Sequence, residues 1–133
     1  MTEYSILVVE DHMVFGKALV HLLHEKTPYH IVGPLRSSEE ALEQLLNLDV
    51  DLVLIDVSLP HMNGIDLVRE IQARFPNIRC LVLSGHMTPS YIQRALDAGA
   101  RGYILKDDVA GVVEGVQRVL AGEIYLSEAL REA

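Results

Sequence analysis

The chain has 133 residues, half of them hydrophobic, and a formal net charge of −8 from 19 acidic and 11 basic residues. This length fits one domain with a substantial core, and no apolar run approaches the roughly 20 residues that span a bilayer. The acidic balance argues against direct nucleic-acid binding, because such affinity depends on Lys and Arg contacts with phosphates. The N-terminus has no basic leader region, and the single Cys80 cannot form an internal disulfide. We therefore expect a buried thiol, no membrane association and a cytoplasmic location.

Apolar strand-like runs and helical periodicity alternate along the first half of the chain. The first strand is predicted at 4–9 and the first helix at 12–25, where apolar residues recur at helical spacing. A short strand follows at 30–34. Ser37 and Ser38, followed by two glutamates, predict the N-terminus of a second helix.

The second half of the chain continues the same alternation. A strand at 51–56 has almost no polar alternation, which is typical of a strand buried on both faces of a parallel sheet. A loop of turn-forming residues then leads to a helix at 65–75. The remaining predicted elements are a strand at 79–84, a helix at 89–98 capped by Gly99, a strand at 102–105 and a helix at 108–121.

Five alternating strand and helix units predict an α/β fold. The expected architecture is a doubly wound parallel sheet of five strands in the order 2-1-3-4-5, with five helices on its two faces. Its ligand crevice would lie outside the carboxyl ends of strands one and three. The last stretch, residues 123–133, has no predicted strand to pair with, so we expect a short helix or the start of a linker.

Four of the predicted strands end on residues suited to metal or phosphoryl chemistry. Glu10 and Asp11 follow the first strand, Asp56 ends the third, Ser84 ends the fourth and Lys106 follows the fifth. In a parallel sheet these ends lie side by side. Carboxylates suit Mg²⁺ or Mn²⁺, a carboxylate can act as a nucleophile on phosphorus, and an ammonium can neutralise a phosphoryl oxygen. The set therefore predicts one site for a divalent cation and a phosphoryl group.

The segments VVEDH, LIDVSLPHMNG, VLSG and GYILKD make the chain resemble the receiver domain of two-component response regulators over essentially its whole length. The resemblance implies a flavodoxin-like (CheY-like) fold. It also implies a signalling phosphoacceptor that promotes only its own phosphorylation and dephosphorylation, and not an enzyme. The implied roles are Asp56 as phosphoacceptor assisted by Lys106 and Ser84; Glu10, Asp11, Asp56 and the Ser58 backbone carbonyl as metal ligands; Ser84 and Tyr103 as a switch pair; and Ser58 and His86 as residues that tune phosphoryl lifetime.

Two further segments, HMVFGKALVHLL and AGEIYLSEAL, resemble the NarL/LuxR class. This resemblance implies a receiver domain at 1–122 and, at 123–133, the start of a linker towards a helix-turn-helix DNA-binding domain absent from this sequence. The implied partners are a sensor histidine kinase and a second copy of the chain in a phosphorylation-dependent homodimer, with transcription as the output. The alternative is a stand-alone receiver that acts through protein–protein interactions. Asp107 follows Lys106 where many relatives of other subfamilies have proline, so we expect a trans bond there.

Three other functions remain as alternatives. An aspartate-nucleophile phosphohydrolase would need a second Asp two residues after Asp56, where Ser58 stands. A flavodoxin-like FMN carrier would need a phosphate loop rich in Ser, Thr and Gly after the first strand, where EDHMVF stands. A phosphorylation-independent interaction module can lack the acids or the lysine, and this chain has all of them.

Overall fold

The computed structural model describes residues 3–85 and 87–131, and within these ranges six parallel strands form one sheet. The strands are β1 (Ser5–Val9), β2 (His30–Leu35), β3 (Leu52–Asp56), β4 (Arg79–Ser84), β5 (Gly102–Leu105) and β6 (Tyr125–Leu126). Their order is β2-β1-β3-β4-β5-β6. The predicted order 2-1-3-4-5 is therefore confirmed, with a sixth strand added beside β5.

Helices cover both faces of the sheet. They are α1 (Met13–Lys26), α2 (Ser38–Leu45), α3 (Gly64–Arg74), α4 (Pro89–Ala98) and α5 (Val109–Leu120), with a short 3₁₀ helix at Glu128–Leu130. Alternate strand residues point to opposite faces. Leu7 and Val9 belong to the apolar cluster that includes side chains of α2, α3 and α4, whereas Ile6 and Val8 belong to the cluster that includes side chains of α1 and α5. The central strands are consequently buried on both sides, which explains their nearly continuous apolar sequence.

Local capping chemistry fixes the helix ends where the sequence predicted them. The Ser37 hydroxyl accepts a hydrogen bond of 3.1 Å from the Glu40 N–H at the start of α2. Gly99 ends α4 with a φ of 114°, a left-handed conformation that glycine adopts without a Cβ penalty. Where the sequence predicted both ends of a strand or helix, the observed ends of that element lie within about one residue of the prediction.

The expectation that the C-terminal stretch lacks a strand partner was wrong. The Tyr125 N–H donates to the Arg101 carbonyl at 3.0 Å, and the Ser127 N–H donates to the Tyr103 carbonyl at 3.1 Å. The buried Ser127 hydroxyl in turn accepts a hydrogen bond of 2.9 Å from the Leu105 N–H. A two-residue strand gives almost no periodic signal, and the open edge of β5 supplies its pairing. A linker towards a further domain stays a prediction.

Replacing Ser127 with alanine should lower the free energy of unfolding by about 1–3 kcal/mol, because the buried Leu105 N–H then loses its acceptor. Urea denaturation followed by circular dichroism measures this change. Ser90→Ala at an exposed position of α4 is the control and should stay near the wild-type value. Equal stability of Ser127→Ala and the wild type would show that this contact contributes nothing.

Cys80 lies in β4 and is fully buried. Burial raises the pKa of its thiol to about 12, so the reactive thiolate does not form at neutral pH. The expectation of a buried thiol is confirmed. Within residues 3–85 and 87–131, none of the helices has the length and apolar content needed to cross a bilayer.

Candidate functional site

The carboxyl ends of β1 and β3 bring three carboxylates together. Glu10 and Asp11 directly follow β1, and Asp56 ends β3, the strand that pairs with β1. One oxygen from each of these carboxylates lies within 4.8 Å of the other two. Such a group of hard oxygen donors is the ligand type that Mg²⁺ and Mn²⁺ prefer.

Lys106 reaches this group from the end of β5. Its Nζ lies 3.1 Å from Glu10 Oε1 and 3.2 Å from Asp56 Oδ2. Its backbone N–H donates to the Ser84 carbonyl at 2.9 Å, which joins the ends of β4 and β5. Burial lowers the pKa of Lys106, but the contacts with Glu10 and Asp56 raise it by more, so the net shift is upward. The lysine is therefore a cation held between two carboxylates.

Glu10 is fully buried, and its two oxygens differ in their partners. Oε2 accepts a hydrogen bond of 3.1 Å from the His12 N–H. Oε1 has the ion-pair contact with Lys106 but accepts no well-directed hydrogen bond from the described residues. Burial, and then the proximity of Asp56, raises the pKa of Glu10 to about 7. A buried oxygen without a directed donor next to two further carboxylates fits a cation site.

Asp56 is almost completely buried, at 1% exposure. Its Oδ1 accepts a hydrogen bond of 3.1 Å from the Ser58 N–H, while Oδ2 faces Lys106. Asp11 and Ser58 are exposed at the rim of the crevice. The site thus has a buried carboxylate in its floor, with exposed polar groups at its opening.

Ser84 and Tyr103 lie on neighbouring strands and are both fully buried. Burial raises the pKa of Tyr103, and a side-chain hydrogen bond with Ser84 partly opposes that shift. The two predicted switch residues are therefore in contact, with the tyrosine ring inside the protein. Ser84 is the last residue of β4, and Leu83, the residue before it, pairs with Asp56 in the sheet.

Two predictions concern the loops of the crevice. His86 lies outside the described residues, so its predicted tuning role stays a prediction. The Lys106–Asp107 peptide bond is trans as expected, since the cis bond found among the described residues is Gly33–Pro34.

One contact of the site was missed from the sequence. Phe15 in α1 places its ring centroid 5.1 Å from Lys106 Nζ. From the sequence, Phe15 is one of the apolar residues that recur at helical spacing over 12–25, which indicates only a place on the buried face of the helix. Its position one helical turn after Asp11 was an available signal, because residues one turn into a helix can still face the loop that precedes it.

The raised pKa of Glu10 predicts a pH-dependent stability of the metal-free domain. The folded form holds the Glu10 proton up to about pH 7, whereas the unfolded chain releases it near pH 4.5. The contribution of Glu10 to the free energy of unfolding is therefore fully present below about pH 4.5 and is lost as the pH rises through about 7. In EDTA, we expect unfolding to become easier by about 2 kcal/mol between pH 5.5 and pH 8.

Urea denaturation at several pH values measures this slope, with Glu10→Gln as the isosteric control that should flatten it. Saturating Mg²⁺ should also reduce the slope, because a cation favours the ionised carboxylate. A slope that is identical in the wild type and Glu10→Gln would contradict the assignment to Glu10.

Comparisons with known proteins agree with this geometry. The sequence profile of the response regulator receiver domain matches residues 6–117. The transcriptional activator protein ExaE of Pseudomonas putida is 38% identical over 127 residues, which cover 95% of this chain and 59% of ExaE. The nitrate/nitrite response regulator protein NarL of Escherichia coli is 31% identical over 127 residues, with the same two coverages.

A solved two-component response regulator of the LuxR family from Aurantimonas sp. superposes with a TM-score of 0.93 at 26% identity, covering 98% of this chain and 94% of that one. The chain spans 59% of the length of ExaE and of NarL. The match over residues 6–117, together with these relatives, shows that the chain belongs to the response regulator receiver domain family, in its NarL/LuxR class.

Proposed function

We propose that the chain is a signalling phosphoacceptor and that Asp56 is its phosphorylated residue. The observation that carries this proposal is the position of Asp56, buried between the acid pair after β1 and the Lys106 ammonium at 3.2 Å. A carboxylate oxygen of Asp56 attacks phosphorus, the bond from phosphorus to a histidine nitrogen of a sensor kinase breaks, and that nitrogen keeps the electron pair. The product is an aspartyl-phosphate.

Each neighbour of Asp56 has a defined part in this transfer. Glu10, Asp11, Asp56 and the Ser58 backbone carbonyl would hold Mg²⁺ or Mn²⁺, which when bound supplies neutralising charge for the phosphoryl oxygens. Lys106 pairs with another phosphoryl oxygen, and the Ser84 hydroxyl donates a hydrogen bond to the group. Positioning and charge compensation of this kind provide most of the catalysis in phosphoryl transfer.

The added phosphoryl group carries a charge of about −1.5 to −2. We infer that this charge draws the Ser84 hydroxyl towards Asp56 and away from Tyr103, its present hydrogen-bonding neighbour. The shift of this pair changes the surface around α4 and β5 and thereby the association of the domain with a second copy. By analogy with ExaE and NarL, of whose length this chain spans 59%, we propose that the output is transcription through a helix-turn-helix domain, in the cytoplasm.

The deciding experiment compares the wild type with Asp56→Asn in acetyl phosphate and Mg²⁺. Intact mass spectrometry should show one added phosphoryl group on the wild type and none on Asp56→Asn. Asp49→Asn, at an exposed position outside the crevice, is the matched control and should be labelled like the wild type. Removal of Mg²⁺ with EDTA should also prevent labelling. An unlabelled wild type, or a labelled Asp56→Asn, would overturn the proposal.

A further inference from the structure

The Lys106 ammonium lies over the face of an aromatic ring. Its Nζ is 5.1 Å from the Phe15 ring centroid, within the roughly 6 Å at which an ammonium is attracted to the negative face of the ring. The same atom lies 3.1 Å from Glu10 Oε1 and 3.2 Å from Asp56 Oδ2. The side chain is 28% exposed, so the attraction is less weakened by water than at a fully exposed position.

These three contacts of Lys106 Nζ would change differently during phosphoryl transfer. The Glu10 oxygen is a candidate metal ligand, and an Asp56 oxygen would become bonded to phosphorus. The Phe15 ring has neither role. It carries no net charge, so its attraction for the ammonium is weaker than that of an anionic phosphoryl oxygen. Among the three, the ring is the partner whose own bonding and charge the proposed reaction does not change.

We propose that Phe15 is a positioning residue that holds the Lys106 ammonium over the site while the phosphoryl group moves to Asp56. The inference rests on the proposed phosphoacceptor function of Asp56. Phe15 does not touch the reacting atoms and acts through Lys106. Helix α1 begins two residues after Asp11, so the loop that carries the acid pair also sets the position of the ring.

Packing alone would explain Phe15 if its ring served only the core. It packs against the apolar cluster under α1 and α5 and lines a groove of about 250 Å³ together with Leu22. The test must therefore weaken the negative face of the ring while keeping its shape. Pentafluorophenylalanine at position 15 does this, because fluorine withdraws electron density from the ring. The chain has one other phenylalanine, Phe75, for a matched control.

The experiment measures the rate of Asp56 phosphorylation by acetyl phosphate at saturating Mg²⁺. We expect pentafluorophenylalanine at position 15 and Phe15→Leu to lower the rate about five-fold. Phe15→Tyr, which keeps an electron-rich ring, should keep the wild-type phosphorylation rate. Pentafluorophenylalanine at position 75 should leave the rate unchanged. Leu22→Ala should reduce stability through lost packing but keep the wild-type rate.

A second readout needs no metal and no phosphoryl donor. With only three lysines in the chain, ¹³C relaxation can resolve the mobility of the Lys106 Cε methylene. Its order parameter should fall with the fluorinated ring and with leucine, and stay high with tyrosine.

A wild-type rate and unchanged Lys106 mobility with the fluorinated ring would overturn the positioning role. Failure of the wild type to become labelled would instead overturn the function of Asp56. In that case the Lys106 mobility alone decides whether the ring holds the ammonium. A lower mobility in the fluorinated protein than in the wild type would also contradict the proposal.

Discussion

Lys106→Met is expected to slow phosphorylation of Asp56 by acetyl phosphate at least about 100-fold, which corresponds to ~3 kcal/mol of lost transition-state stabilisation. Methionine keeps an unbranched stem but removes the cation that lies within 3.2 Å of Glu10 and Asp56. Mg²⁺ affinity should change in the opposite direction and become tighter, because the two carboxylates lose a competing positive charge. Labelling kinetics and isothermal titration calorimetry measure the two quantities.

The opposite signs separate a lost charge from a damaged site. Lys17→Met, at an exposed position of α1, makes the same change in net charge and should leave both quantities near wild type. A Lys106→Met rate within about three-fold of wild type would remove Lys106 from the reaction. Weaker Mg²⁺ binding together with a slow rate would point to distortion of the carboxylates instead.

Gly64→Ala should destabilise the domain by about 3 kcal/mol and slow the phosphorylation of Asp56. A Cβ atom at Gly64 would lie 2.2 Å from the Asp56 carbonyl oxygen and 2.8 Å from the Val57 Cα. Both are backbone atoms, which cannot move away as a flexible side chain can. The Gly64 N–H also donates to the Val57 carbonyl at 2.9 Å. Helix α3 is therefore fixed directly against the peptide units that hold the Asp56 carboxylate.

Urea denaturation and the labelling rate test this prediction together. Gly85→Ala is the stability control, because a Cβ atom there would have no neighbour within 4 Å. Its free energy of unfolding should stay within about 0.5 kcal/mol of wild type. A Gly64→Ala protein as stable as the wild type would show that α3 can shift outward at little cost.

Much of the fold could be predicted because its signals are local. Unbroken apolar runs such as 52–55 are typical of strands buried on both faces. Capping groups such as Ser37 and Gly99 fix helix ends through contacts within a few residues. Strand β6 escaped prediction because two residues carry no period, and its partner β5 lies about twenty residues earlier in the chain.

Some features of the site could likewise be predicted from the sequence and others could not. That Glu10, Asp11, Asp56, Ser84 and Lys106 would lie close together could be deduced from strand ends, because the carboxyl ends of parallel strands share one edge. The contact of Gly64 with the backbone of Asp56 could not, since it depends on the exact path of the loop between them.

The sequence by itself determined the α/β architecture, the strand order and the residue types that meet at the crevice. Those properties follow from periodicity, chain punctuation and the direction of parallel strands. Only the tertiary structure decided that a Glu10 oxygen is buried without a directed hydrogen bond, that Tyr103 lies inside, and that Phe15 faces the Lys106 ammonium. These features depend on burial and side-chain direction across elements, which the periodicity of one segment does not fix.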